Sequence, residues 1–475
     1  MDINGWLTVI TVFTAIFALL PREDLVLSFQ RTNRIEKWLV FSNLLFVIPY
    51  LIIFPQLVGR WPQLKKLGFS WGFAPANIAF ALFFFSFLWL LLRLFFFKPN
   101  GKSDSKTIDY YLELLNEKSF EEFFKIFTKY TSPKEINKNW DNFGEIVFQP
   151  KFLNGVSNYQ PAYLLQFWDN FSSEEDFQSI FRLFLENQNS AYYKEIKEHW
   201  NSYSLLSDKP FLNKVLKDNL QQSIHNNLIP ILSDFALKHL HAEHDKTSIY
   251  NQPHFYSKIR EEEGYDLPIY YHIRFVGLLY SSAIRNKIDI STISHRNTNM
   301  QSIFSTMVHE MINNVQVNDE NFNKEYPTNY HWLIGEIFSI TDNWVSNFAK
   351  DYFSGKSSYN TFIPFSFSLS MDELYDGFDR NKISQEFVNS MIYYHMLSDY
   401  FDFSINSDFK NSIENEVIAR IPEKHLKPIL KFALDERFAV NYENFITGKF
   451  GLLNKGEKEI LNRLLVFLKS KNMLL

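Results

Sequence analysis

Long apolar segments occupy the first 98 residues and are separated by short polar stretches. They cover residues 3–20, 38–55 and 73–92, and the last of them contains no charged residue up to Leu92. A helix of about 20 apolar residues is long enough to cross the ~30 Å hydrocarbon layer of a bilayer. The pattern therefore predicts three transmembrane helices, which together form a membrane unit over residues 1–98.

The distribution of basic residues predicts how these spans are oriented. The loop between the first two spans carries four Lys and Arg residues, Lys98 and two further lysines follow the third span, and the residues before the first span carry none. Basic residues collect on the cytoplasmic side of a membrane. We therefore predict a bacterial inner-membrane protein with its amino terminus outside and its carboxyl-terminal region in the cytoplasm.

Polar or helix-breaking residues interrupt two of the spans. Asn43 and Pro49 lie inside the second span, and Arg93 directly follows the third. One interpretation makes them groups of a pore or gate. The other gives Asn43 an interhelical hydrogen bond and makes Arg93 an interfacial anchor, which are the usual roles of such residues.

From residue 99 onward, apolar positions recur at helical spacing. Ser119 precedes a segment in which Phe120, Phe123, Phe124 and Phe127 share one face, and a Ser followed three residues later by Glu is an amino-terminal helix signal. The segment 457–471 has the same periodicity with charges interspersed, so it predicts an amphipathic helix. The remainder of the chain is predicted to be mainly α-helical.

Short strands are also expected within this helical region. Residues 365–371 alternate strictly between apolar residues and Ser, which is the period of a strand. Residues 287–293, KIDISTI, also alternate, and the run EIVF at 145–148 lies between turn signals, which allows a short strand or hairpin. The predicted fold class is mainly α, with a three-helix transmembrane unit followed by a large helical cytosolic domain containing a few short strands.

A polar stretch rich in helix-breaking residues divides this cytosolic part. It runs from 242 to 268, and domain boundaries commonly fall in such sequences. We therefore predict a first cytosolic lobe at 99–250 and a second at 251–475.

Composition excludes several classes of protein. The chain has no cysteine, which rules out disulfides, thiolate metal sites and cysteine nucleophiles. Residues 1–98 hold nine Lys and Arg against four Asp and Glu, whereas the remainder holds 39 against 49. A net charge of −10 on that remainder does not predict a nucleic-acid partner. No phosphate-binding or serine-hydrolase motif occurs, and no cofactor is predicted.

Three histidines near the middle of the chain are the first candidates for a metal site. His239, His241 and His244 are close enough in a helix for imidazoles to converge on a metal ion. Histidine near the carboxyl end of a helix also complements the helix dipole. Both interpretations are open.

A second candidate lies in the sequence TMVHEMIN at 306–313. His309 and Glu310 resemble the active helix of zincin metallopeptidases, in which two imidazoles one turn apart bind zinc and the Glu is the general base. Asn313 stands at the position of the second imidazole, which departs from that family. The resemblance implies catalytic roles for His309 and Glu310 and a third metal ligand at Glu336. The alternative is a His–Glu pair on the surface of an amphipathic helix.

An acidic segment follows the predicted strand. It contains Asp372, Glu373, Asp376 and Asp379. Its spacing does not match the 12-residue loop that binds calcium, so we interpret it as a solvated face.

Residues 269–313 contain the aromatic run YYHIRFVGLLYSSAI and, after a polar spacer, the aliphatic run MQSIFSTMVHEMI. In the spacing of their hydrophobic residues, these two runs resemble a helix pair found in putative phage abortive-infection membrane proteins. Those proteins also place a few transmembrane helices before a soluble helical domain. The resemblance implies a role in antiphage defence.

Three functions agree with these features. In the first, the cytosolic domain binds a protein partner, a signal or a second copy of the chain and controls a membrane-perturbing unit in the lipid bilayer. In the second, the chain is a membrane-anchored scaffold that recruits a cytosolic complex. In the third, it is a metal-dependent hydrolase of degenerate zincin type.

Overall fold

The computed structural model describes most of the chain after residue 104. The described ranges are 21–31, 105–170, 174–198, 209–218, 228–242, 247–252, 267–286, 298–316, 326–353, 362–402 and 407–474, with residue 245 and scattered residues before 105. The chain divides into two compact units, Met1–Asn170 and Phe171–Leu475. The lobes at 99–250 and 251–475 stay predictions.

The predicted membrane spans at 3–20, 38–55 and 73–92 fall largely on residues outside the described part. Asn43, Pro49 and Arg93 lie outside it as well. Among the residues that are described, none of the helices combines the length and the apolar character needed to cross a membrane.

The first unit is built from short helices. Its described elements are α1 (Arg22–Arg31), α2 (Ser105–Glu117), α3 (Phe120–Tyr130), α4 (Pro133–Lys138), α5 (Trp140–Val147), α6 (Pro150–Tyr159) and a 3-10 segment (Pro161–Asn170). Helix α1 contacts α2 and α3, and α6 packs on α3.

Aromatic side chains fill the interior of the first unit. Ser119 caps α3, since its hydroxyl accepts a hydrogen bond from the Glu122 amide at 3.3 Å. Phe127 is fully buried, and its ring centroid lies 5.1 Å from that of Tyr111 and 5.6 Å from that of Phe152. The predicted start and apolar face of this helix are confirmed.

The second unit contains longer helices. Its described elements are α7 (Glu174–Glu186), α8 (Ala191–Glu198), α9 (Pro210–Asn213) with a π turn (Lys214–Asp218), α10 (Leu228–Ala242), a 3-10 turn (Ile249–Asn251), α11 (Pro268–Arg285), α12 (Thr298–Asn314), α13 (Asn329–Phe353), α14 (Phe362–Asp379), α15 (Gln385–Ile392) with a π turn (Tyr393–Leu397), α16 (Ser398–Asp402), α17 (Ser407–Glu416), a 3-10 turn (Ile418–Arg420), α18 (Glu423–Phe438), α19 (Tyr442–Ile446) and α20 (Lys455–Ser470).

Helix α11 is the centre of this unit. Every side chain from Ile269 to Ala283 is buried, and α8, α10 and α13 pack around it. Helix α12 lies on α10 and α13 and makes its most extensive contact with α14. At the carboxyl end, α20 buries one stripe of leucines that includes Leu461 and Leu468, as its periodicity predicts.

The predicted strands are wrong where the structure describes them. Residues 365–371 lie inside α14, and residues 145–147 end α5. Residues 287–293 lie outside the described part, and the described residues contain no strand. Within α14 the small Ser368 and Ser370 are buried beside Phe367. Small polar residues at a helix contact therefore produced the alternating pattern.

A close helix contact in the first unit generates a stability prediction. A Cβ atom at Gly155 in α6 would overlap the Phe120 ring, whereas one at Gly144 in α5 would meet nothing closer than 3.9 Å. We expect Gly155→Ala to destabilise α6 by about 1–3 kcal/mol through overpacking. The control Gly144→Ala should be neutral or stabilising by up to about 1 kcal/mol, because Ala favours helix.

Hydrogen-exchange mass spectrometry of peptides that cover α5 and α6 measures both effects locally. Faster exchange is expected in α6 of the Gly155→Ala chain only. Equal exchange in the two variants would contradict the contact.

Candidate functional site

The site is organised by two adjacent residues on α12. His309 and Glu310 follow one another, so their side chains point about 100° apart around the helix and meet different neighbours. The Nδ1 of His309 donates to Oε2 of Glu373 on α14 at 2.7 Å. The carboxylate of Glu310 lies 3.5 Å from Nε2 of His241 on α10. Two histidine–carboxylate pairs thus connect α12 to both of these helices.

The contact between α12 and α14 is held close by a glycine. A Cβ atom at Gly377 would lie 2.7 Å from Cγ2 of Ile312, which is nearer than side chains approach one another. Because Gly377 directly follows Asp376, the absence of a side chain there brings the α14 backbone up to α12 beside the site.

Carboxylates on α14 complete the group around His309. Glu373 and Asp376 are three residues apart and therefore share a face of the helix. One ligand atom from each of them and one from His309 lie within 4.8 Å of one another, and this is the group among the described residues whose spacing could hold a metal ion. His309 exposes 38% of its side chain and Glu373 25%, so the group is accessible to solvent.

Neighbouring side chains orient these carboxylates. Ser305 Oγ donates to Oε1 of Glu373 at 3.1 Å, and Arg380 forms an ion pair with Asp376 at 2.8 Å. Arg380 also donates to the side chain of Asn313. Asn313, which stands where a zincin has its second imidazole, is therefore hydrogen-bonded to the Arg380 guanidinium.

The other candidate histidines in the described residues contact different side chains and do not belong to the group around His309. His239 stacks on His272 of α11, with ring centroids 5.9 Å apart, whereas His241 faces Glu310. His244 lies outside the described residues.

Glu336 is on α13, and the metal-compatible group does not include it. Burial raises its pKa, and the Arg274 guanidinium of α11 acts in the opposite direction. The structure brings Glu373 and Asp376 to His309 instead. The sequence contains a signal for this pair, namely their i, i+3 spacing, but it becomes readable only when the segment is assigned to a helix.

A pair of half-buried acids on two helices was not predicted from the sequence. Asp342 on α13 and Asp399 on α16 lie 57 positions apart in sequence, and α13 contacts the π turn Tyr393–Leu397 that precedes Asp399. Burial, together with a hydrogen bond to Asp399, raises the pKa of Asp342 to about 9. Burial also lowers the pKa of His395, four residues before Asp399 in the chain, to about 4. Asp342 is therefore protonated at neutral pH.

A buried histidine of α11 contacts the neighbouring helix α8. The hydroxyl of Tyr192 on α8 is 3.0 Å from Nδ1 of His272 and 3.2 Å from the carbonyl oxygen of Tyr271. Burial lowers the pKa of His272 to about 3. His272 is therefore neutral and joins α8 to the central helix.

Comparisons with models of known protein families, with curated proteins and with solved structures find no match to this chain.

The acid pair generates a prediction about pH. The folded chain keeps the Asp342 proton up to about pH 9, whereas an unfolded Asp releases it near pH 4. Unfolding then releases a proton between those values, so this group makes the folded state less stable as the pH rises. We expect Asp342→Asn, which cannot ionise, to reduce the loss of stability between pH 5 and about pH 8.5.

Thermal unfolding of the two chains across this range checks the prediction. Asp141→Asn is the control, because Asp141 is an exposed residue of α5. The control should follow the parent chain at every pH. Parallel curves for Asp342→Asn and the parent would show that Asp342 is ionised in the folded state.

Proposed function

We propose that this chain is a bacterial inner-membrane effector. Its helical cytosolic domain binds a partner or signal and thereby controls a three-span unit, at 3–20, 38–55 and 73–92, that perturbs the membrane. Abortive infection, in which an infected cell depolarises its own membrane, is the setting we favour. The docking of α1 on the helices that follow the membrane unit is the observation that carries the proposal.

Helix α1 is tied to α2 and α3 by charged side chains. Glu23 forms an ion pair with Lys118 at 2.8 Å, and Asp24 forms one with Lys129 at 2.8 Å. The Tyr130 hydroxyl donates to the other oxygen of Asp24 at 2.6 Å. The hydrogen bond from Lys118 lowers the pKa of Glu23, so this carboxylate stays ionised at neutral pH.

Helix α1 lies between the first two predicted spans, so its ion pairs with α2 and α3 connect these helices to the membrane unit. Leu27 of α1 is fully buried, so the helix is packed as well as paired. In the predicted topology α1 lies in the cytoplasmic loop between the first two spans. A movement of α2 or α3 would then act on both spans through a connection of only a few residues.

Exposed apolar side chains support association with a bilayer. Of the 17 large hydrophobic residues that the described part exposes, 12 fall between residues 19 and 89. They are Leu19, Ile35, Trp38, Phe41, Leu45, Ile53, Trp61, Leu82, Phe84, Phe85, Leu88 and Trp89. Such a concentration is typical of a surface that is covered by lipid or by another protein.

A signal-controlled effector needs two states with different affinities for the signal, and it needs no catalytic residue. A scaffold would need an anchor but no connection between its cytosolic helices and a loop of the membrane unit. The ties between α1 and the following helices therefore favour the effector over the scaffold.

Membrane potential in living bacteria tests the proposal. We expect expression of the full chain, alone or during phage infection, to depolarise the cells, as measured with a potential-sensitive dye. Phe85→Lys should abolish the effect, because a Lys near the centre of a span costs about 2.5–3.5 kcal/mol of insertion free energy. Val466→Lys is the matched control, since Phe85 and Val466 are 67% and 66% exposed.

Intact membranes in every condition, with the chain present in the membrane fraction, would overturn the effector proposal and favour the scaffold. Loss of a growth phenotype in Glu310→Ala without any depolarisation would favour the hydrolase.

The docking of α1 has a test of its own. Because the chain has no cysteine, Leu27→Cys introduces a single thiol at a fully buried position. We expect slow labelling by a soluble maleimide in the parent background. Adding Asp24→Lys should accelerate labelling, since the introduced ammonium group would repel Lys129, and adding Lys129→Asp as well should restore the slow rate.

Val466→Cys, which is exposed, provides the rate of an unprotected thiol. If Leu27→Cys reacts as fast as Val466→Cys, α1 is not docked.

A further inference from the structure

We infer that His309, Glu373 and Asp376 form a binding site for a divalent transition-metal ion of the class of Zn²⁺, Co²⁺ and Mn²⁺, which joins α12 to α14. The inference goes beyond the proposed function and does not depend on it, because it stands on three side chains of the second unit alone.

The distances between the ligand atoms suit one ion. Nδ1 of His309 and Oε2 of Glu373 are 2.7 Å apart. Neighbouring ligands around an ion with bonds of about 2.0–2.1 Å lie about 2.9–3.4 Å apart, so these two atoms need to separate by only about 0.2–0.7 Å. A metal ion would replace the proton that these atoms share. The ligand atoms of all three residues lie within 4.8 Å of one another, and rotation of the half-exposed Asp376 side chain away from Arg380 would bring its carboxylate to the same ion.

The surrounding structure holds these ligands in place. Glu373 and Asp376 come from one face of α14, and the close approach of Gly377 to Ile312 fixes the spacing of α14 from α12. Ser305 donates to the second oxygen of Glu373. Partners of this kind orient metal ligands and raise affinity.

The ligand set selects the class of ion. One imidazole nitrogen and two carboxylate oxygens suit Zn²⁺ and its first-row neighbours, whereas Mg²⁺ and Ca²⁺ prefer oxygen ligands alone. Three protein ligands leave one or more positions for water. The ion pair between Arg380 and Asp376 at 2.8 Å opposes binding, because the metal and the guanidinium compete for the same carboxylate.

Metal binding to the purified full chain tests the inference. The chain is prepared in detergent without a polyhistidine tag, treated with a chelator and titrated with Co²⁺, whose visible absorption reports its ligands. Zn²⁺ is then added as a competitor. We expect one Co²⁺ per chain, displacement by Zn²⁺, and no displacement by Mg²⁺ or Ca²⁺ at the same concentration.

Variants identify the ligands. We expect His309→Ala and Asp376→Asn each to raise the Kd for Zn²⁺ at least about tenfold. Arg380→Gln should instead lower the Kd, because it removes the competing cation. A merely structural role for these residues would not produce that gain. The matched control is His241→Ala, which removes a more exposed histidine of the adjacent pair and should leave the Kd unchanged.

Several outcomes would overturn the inference. One is the absence of stoichiometric Co²⁺ binding, and another is displacement of Co²⁺ by Mg²⁺ as effectively as by Zn²⁺. A third is a loss of affinity in His241→Ala as large as that in His309→Ala, which would assign the metal to the α10 histidines instead. Circular dichroism of each variant separates loss of a ligand from loss of fold. Because the readout is binding to the purified chain, failure here leaves the depolarisation experiment unaffected, and failure of depolarisation leaves the metal site unaffected.

Discussion

The burial of α11 on every side is the constraint on which the second unit depends. A helix without a solvent face must be enclosed by other helices, and α8, α10 and α13 enclose it. Gly277 allows α13 to approach, since a Cβ atom there would lie 3.0 Å from Ile340. The indole of Trp344 on α13 then donates to the Gly277 carbonyl at 3.2 Å. On the same helix, Nδ1 of His272 lies 3.0 Å from the hydroxyl of Tyr192 on α8.

This enclosure determines where accessible chemistry can lie. The layer in direct contact with α11 is occupied by packed side chains. Burial lowers the pKa of His272 on α11 itself and raises the pKa of Glu336 on α13. Helix α12 belongs to the next layer, because it rests on α10 and α13. Its outer residues His309 and Glu310 remain partly exposed while the helix beneath them is held firmly. The titratable pairs are therefore open to solvent and to ions and still have a fixed geometry.

Periodicity in the sequence predicted the helices that have one polar face. The stripes at Phe123 and Phe127 and at Leu461 and Leu468 are buried as their spacing requires. It failed in α14, where Ser368 and Ser370 are small enough to be buried in a helix, so their alternation with apolar residues does not indicate a strand. That error concealed the shared face of Glu373 and Asp376. The pairing of residues from different helices, such as Asp342 with Asp399, depends on tertiary packing and has no local signal.

Ion pairs hold helix α1 to its neighbours, and an ion pair also lies within the metal-compatible group on α14. Ion pairs that solvent reaches, such as those of Lys129 with Asp24 and of Arg380 with Asp376, contribute about 0–1 kcal/mol each and weaken as salt rises. A buried aromatic side chain such as Phe127 contributes about 1.5–3 kcal/mol through burial alone. A partner or an ion can therefore compete for the charged ties at modest cost, whereas displacing the aromatic interior would unfold the chain. For this reason we expect signals to act on the surfaces of α1 and α12 and to leave the aromatic interior as a fixed frame.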